Sequence, residues 1–354
     1  MPKRSSASRG TASSKWHNPS PLACRAILLV LALVRPCVGT AQTLLTFKEL
    51  SKAPALVGTV FGGAATRRSI VVRDWKDYHL YSFEANTWEK IQFPPGQLHK
   101  LKNQGAIACA YLPSFGKLIT LTAELEVVDL VKLSLEYYPV EGAAPVASGT
   151  AVRDEKVYLL GNSLVVNLDD EARKKIPQPG PRQIWPPTTR FIVPTRQFFT
   201  FDPATLRYEE LDTLPGYHFR LGAFAGEHLY AIGPSNIETP ATDVIRYDPK
   251  VNRWDSVTRL PYQVGTVVSA GNMLIMMGLH RHEGFLVTLD ITSGQQRFYR
   301  TNVPWTHGLA FVRDNRLYYL AGMKENPKIR DVFFRHPRWL DRNMYVLDLG
   351  DSVR

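Results

Sequence analysis

Few residues of this chain stand at the spacings that chemistry needs. His280 and His282 are the one histidine pair with ligand-like spacing, yet they fall in an expected turn with Glu283 and no cysteine beside them. A solvated turn accounts for them better than metal ligation does. Cys109 sits in the apolar run QGAIACAY, where a buried structural thiol is the default. No Gly-x-Ser-x-Gly elbow, phosphate loop, zinc-protease helix or Ser-His-Asp order is evident, so neither a metal nor a cofactor is expected. What stands out is cationic and aromatic. Arg182, Trp185 and Arg190 lie in one irregular segment, and Arg330, Arg335, His336, Arg338 and Trp339 in another. Guanidinium forks pair with carboxylates through two bonds and indoles stack on flat faces, so both segments suit an anionic or glycan ligand. A third group, His218, Phe219 and Arg220, lies just ahead of Gly222, while Gln263 and His307 stand just ahead of Gly265 and Gly308. In any proton-transfer chemistry, Arg220 would hold a carboxylate and His218 or His307 would carry the proton.

Those glycines belong to a repeat, and the repeat dictates the scaffold. Gly58, Gly105, Gly149, Gly222, Gly265 and Gly308 each sit among small apolar residues, at spacings of 47, 44, 73, 43 and 43. Six units follow, the third enlarged by about 30 residues. In step with them run KVYLLG, HLYAIG, NMLIMMG and RLYYLAG, then FTFDP, IRYDP, VTLDI and YVLDL, then the aromatics Trp88, Tyr208 and Trp254. Runs of five to seven β-formers broken by Gly, Asn, Asp and Pro predict strands joined by turns. Four short strands per unit of about 44 residues predict a propeller blade. The last unit shows only three strands, and LLTFKEL stands at the right distance ahead of Gly58 to supply the fourth. The expected fold is all-β: a six-bladed β-propeller over residues 42–354, its ring closed by the N-terminal strand joining the last blade.

Over residues 44–350 these features resemble the Kelch repeat family. Tyr247, Asp248, Pro249 and Trp254 keep the family's pattern intact in one blade, whereas the family's Gly pair is reduced to a single Gly in LLGN, AIGP, MMGL and LAGM. The resemblance implies that Arg220 looks into the central channel, with Asn103, Gln263 and Thr306 in the equivalent slots. In size, leader and blade count the chain also resembles the periplasmic Kelch proteins that process sialic acids.

Blade topology then places the insertions. Chain direction reverses at each turn, so the connections after strands two and four share a rim. The extra segments at about 163–196 and 323–343, and the shorter one in the fourth unit, all follow a second strand and crowd that rim. Loops on a rigid scaffold carry function. The expected ligand is therefore a protein or an anionic glycan at the insertion rim, contacted by Arg220, Gln263, His307, Arg190, Trp185, Arg335 and Trp339. A sugar mutarotase or epimerase acting on a carboxylated sugar is the alternative.

The formal charge of +11 does not argue for nucleic acid. Six of the 43 basic residues, and none of the 32 acids, fall in residues 1–41, so the remainder carries a net of about +5, an ordinary surface. Residues 1–41 join a basic, Ser-rich stretch to the apolar run AILLVLALV and a small-residue tract, which is the secretory pattern. That run falls short of the roughly 20 residues that cross a bilayer, so no stable membrane anchor is expected. A secreted or periplasmic monomer is expected, with organellar import as the alternative. Beyond the leader Cys109 is the only cysteine, which rules out an internal disulfide in a processed chain.

Overall fold

The structure is a computed structural model. It describes residues 43–54, 62–74, 77–95, 108–121, 124–139, 149–160, 163–167, 190–194, 196–216, 219, 221–234, 241–280, 283–303, 308–320 and 343–350. Among these residues no helix occurs.

Two short strands, β1 (Leu44–Leu45) and β2 (Lys48–Glu49), precede the blades. Blade one is β3 (Gly62–Ala65), β4 (Ser69–Arg73), β5 (Tyr78–Ser82) and β6 (Thr87–Lys90). Blade two is β7 (Ala108–Leu112), β8 (Lys117–Leu121), β9 (Glu124–Asp129) and β10 (Ser134–Pro139). Blade three comprises β11 (Gly149–Arg153) and β12 (Lys156–Leu160), then, after a separate hairpin of β13 (Ser163–Asn167) and β14 (Arg190–Pro194), β15 (Phe199–Asp202) and β16 (Arg207–Glu210). Blade four is β17 (Leu221–Ala225), β18 (His228–Pro234), β19 (Thr242–Asp248) and β20 (Arg253–Leu260). Blade five is β21 (Gln263–Ala270), β22 (Met273–His280), β23 (Glu283–Asp290) and β24 (Gln296–Thr301). Blade six holds β25 (Leu309–Arg313), β26 (Arg316–Leu320) and β27 (Met344–Asp348).

Within each blade the strands hydrogen-bond in order, antiparallel, and the first strands neighbour one another right round the ring, with β25 returning to β3. The chain is a six-bladed β-propeller. Second strands are buried on both faces because each blade is sandwiched between two others. Leu274, Ile275, Met276 and Met277 of β22 are all buried, which is why these segments read as unbroken apolar runs rather than alternating ones.

The turns from third to fourth strand share one chemistry. Asp129, Asp202, Asp248 and Asp290 each accept the backbone N–H two residues on, as does Asp348 at the end of the last strand, where no turn to a fourth strand follows. Four residues after the first four of these caps stand Leu133, Leu206, Asn252 and Gly294, all at positive φ, and Asn86 does the same after Ser82 in blade one. An Asx turn followed by a left-handed residue reverses the chain within five positions.

Blades one and four carry a matching latch to the preceding blade. In blade four, Asn252 Oδ1 accepts the Asp212 N–H (2.9 Å) and the Tyr247 hydroxyl (2.7 Å), and Trp254 Nε1 donates to the Asp212 carbonyl. In blade one, Asn86 Oδ1 accepts the Ser51 N–H (3.2 Å) and the Tyr81 hydroxyl (2.9 Å), and Trp88 Nε1 donates to the Ser51 carbonyl. Ser51 thus does for blade one what Asp212, which follows the fourth strand of blade three, does for blade four. The reason is ring closure: β2 pairs antiparallel with β27 as the outer strand of blade six. Upstream, β1 adds a parallel fifth strand to blade five, and the Asn302 side chain bonds both the N–H and the carbonyl of Phe47.

Gly58 and Gly105, which the repeat spacing assigns to first strands, lie outside the described residues. The described first strand of blade one begins four residues after Gly58. There Gly62 leaves room for Cys109 of blade two, whose Sγ would stand 2.8 Å from a Cβ at that position.

Candidate functional site

Of the expected site residues, Arg190 and Gln263 are among those the structure describes, and both fall on the rim bearing the connections after second and fourth strands. The enlarged unit three places the β13–β14 hairpin there, outside the sheet of blade three. Its register runs from Ser163 opposite Pro194 to Asn167 opposite Arg190, so Arg190 stands at the distal end of an arm that holds residues 168–189. Gln263 opens β21, an innermost strand, and is exposed. Trp185, His218, Arg220, His307, Arg335 and Trp339 lie outside the described residues. Phe219, between two of them, is buried in the core between blades three and four with Leu214 and Leu229.

The described part of this rim also holds a charged network between blades one and two. Arg73 ends β4 and its guanidinium forks the Glu126 carboxylate of β9, Nε to Oε2 at 2.8 Å and Nη2 to Oε1 at 2.9 Å. The two side chains are only 3% and 4% exposed. The Tyr78 hydroxyl donates to Glu126 Oε2 at 2.7 Å, Thr120 Oγ1 lies 3.1 Å from that hydroxyl, and Cys109 Sγ lies 3.5 Å from Thr120. Burial pulls the Arg73 guanidinium down, but Tyr78 and Glu126 beside it outweigh that, and it titrates above its ordinary value. Burial, reinforced by the Glu126 charge, holds the Tyr78 phenol well above its usual range, so it remains a donor. Burial likewise pushes the Cys109 thiol up to about 11, the opposite of an activated nucleophile. Every member of the network has a partner. Its chemistry is that of a staple between two blades.

On the other face of blade one, register sets His79 opposite Val72, and beside it Asp74 Oδ2 approaches His79 Nε2 to 3.1 Å. Asp77, held to Lys90 at 2.8 Å, completes a group of three whose donor atoms lie within 4.8 Å of one another. Neither cluster figures among the site residues expected from sequence. The available signal was a charge within an apolar β-run: Arg73 directly after SIVV, Glu126 between Leu125 and Val127, His79 inside YHLYS.

The opposite rim, formed by the turns within hairpins, carries two clefts. One, of about 470 Å³, lies between blades five and six and is lined by Asn272, Met273, Asp290, Val312, Asn315 and Leu349 among others. The second, of about 280 Å³, lies between blades two and three, where Phe115 (48% exposed) and Leu206 (39%) leave apolar surface in water.

No protein-family model matches the sequence, and no curated protein matches it. In three dimensions the chain is similar to 711 solved chains, so the architecture is too widely shared to indicate a ligand. One of these is YjhT, with a TM-score of 0.52 and 13% identity over 77% of this chain and 93% of that one. Identity at that level speaks for the propeller fold alone.

Proposed function

We propose that this chain is a secreted or periplasmic, Kelch-type propeller that acts as a binding module for a protein or an anionic glycan, engaged on the rim where its insertions emerge. The supporting observation is the β13–β14 arm: a hairpin that contributes to no blade, standing on the connection between strands two and three and carrying Arg190 at its distal end. Binding residues concentrate on connections that a rigid scaffold positions, and a hairpin outside the blade sheet adds reach to such a rim. Guanidinium and indole groups of residues 182–190 and 330–339 supply the chemistry for a carboxylated sugar or an acidic peptide.

A thermal-shift screen of the full chain against sialic acids, uronic acids and acidic peptides tests this, since a ligand of the native state raises the melting temperature. A second chain, with residues 168–189 replaced by Asn-Gly, should melt as the parent does without ligand and lose the ligand-dependent rise. An undiminished rise in that variant would remove the arm from the site. Sialic acid anomers equilibrating faster than in buffer alone, followed by NMR, would turn the reading toward a mutarotase. Protein recovered from the export compartment with Met1 retained would overturn the secreted assignment.

A further inference from the structure

The turn that joins β4 to β5 in blade one reads Asp-x-x-Asp-x-His, and its three chemical side chains converge. Asp74 Oδ1 accepts the Asp77 N–H at 2.7 Å while the Asp74 N–H donates to the Asp77 carbonyl at 3.0 Å, so the backbone of the turn is closed by its own first residue. That leaves Asp74 Oδ2 facing His79 Nε2 at 3.1 Å. Asp74 is 1% exposed and the His79 side chain 6%. The ring thus presents Nε2 to the cluster, while Nδ1, on the side of the ring turned away from Asp74, is buried and has no hydrogen-bond partner. What marks the cluster is its composition and shielding: one imidazole nitrogen and two carboxylates converge, and two of the three residues are almost wholly withdrawn from water.

We infer that Asp74, Asp77 and His79 form a binding site for a divalent transition cation, zinc before others. One imidazole with two carboxylates suits zinc, cobalt or manganese, whereas calcium and magnesium favour oxygen alone. Bonds of about 2.0–2.2 Å around a tetrahedral ion set its ligand atoms roughly 3.3–3.6 Å apart. Asp74 and His79 already stand at 3.1 Å, and the outermost separation in the group is no more than 4.8 Å. Side-chain rotation of Asp77, the one member that reaches solvent, closes the remainder. Two carboxylates balance the charge of the ion, and a water molecule would complete its coordination. The competing reading is a plain Asp–His contact with Lys90 neutralising Asp77. The Lys90 side chain is 44% exposed and free to swing away.

Titration calorimetry of the chelator-treated full chain with zinc chloride separates the two readings, with cobalt as the spectroscopic probe. Expected are one zinc per chain, tetrahedral cobalt absorption, a raised melting temperature, and no response to calcium or magnesium. Asp77→Asn should weaken zinc by more than about tenfold, at least the loss seen when even outer-shell partners are removed. Lys90→Met, which removes the competitor, should tighten it by up to about fivefold, the weight of an exposed ion pair. A structural Asp–His contact predicts no zinc at all. Since Asp77 is partly exposed, melting without metal checks that its variant folds. A chain with His280→Ala and His282→Ala should bind zinc as the parent does. Absence of stoichiometric zinc, indifference to Asp77→Asn, or loss in the His280/His282 variant would each overturn the assignment.

Discussion

Glu126→Gln should be among the most damaging isosteric changes available to this protein. The carboxylate accepts from Arg73 Nε, Arg73 Nη2 and the Tyr78 hydroxyl within a contact where both charged side chains are almost wholly shielded. Gln keeps the shape and removes the charge, leaving the Arg73 guanidinium buried without a counter-ion. Breaking one side of such a pair costs about 3–5 kcal/mol, whereas replacing both partners by apolar residues of similar size is often neutral or stabilising. The prediction is therefore a cycle. Glu126→Gln and Arg73→Met each lower the unfolding free energy read from chemical denaturation by that amount, and Arg73→Met with Glu126→Leu recovers most of it. Coupling of this size arises because the buried charge, not the lost contact, is what costs. If Glu126→Gln came within about 1 kcal/mol of the parent, the scale of exposed pairs, the network would have to be hydrated and the staple argument would fail. The pH dependence has a defined sign. Tyr78 titrates higher in the folded state than its ordinary value of about 10, so its contribution is intact below that pH and is lost as pH rises toward the raised value.

Cys109 should resist a thiol reagent such as DTNB at pH 8 in the native chain and react at once in denaturant, because burial holds it as a thiol up to about 11; native-state labelling at the unfolded rate would contradict its placement. Leu206→Gly should raise the unfolding free energy by about 0.5–1 kcal/mol, since Leu206 sits at φ 57° where a side chain is disfavoured. By contrast Asn252→Leu should lower it by about 2 kcal/mol, because the acceptor of two latch bonds goes with it; equal responses at the two sites would dissolve the latch. Deleting residues 44–53 should cost on the order of 5 kcal/mol or more, since buried Leu45, Phe47 and Ala53 are lost along with β2. An unchanged midpoint would mean that the ring does not close through this segment.

Strand, turn and blade count are local properties, and the sequence by itself determined them. Apolar runs punctuated by Asp and Gly specify a strand and its reversal within a dozen residues, and recurrence at about 44 residues specifies how many such units exist. Even ring closure followed from counting, because a blade lacking its fourth strand leaves an edge that the free N-terminal strand can cover. What only the tertiary structure decided is which side chains meet across blades. Arg73 and Glu126 are 53 positions apart and share no periodic offset, so nothing in their spacing announces the pair. Asp74 and His79 are close in sequence, yet they face one another only because the β4–β5 register sets His79 against Val72 and puts both on one side of the sheet. Likewise Leu133 and Leu206 read as ordinary apolar residues until the backbone places them in the left-handed positions that blades one and four give to Asn86 and Asn252. A strand's pattern reports which face is buried; the neighbouring blade, which the pattern does not encode, decides against what.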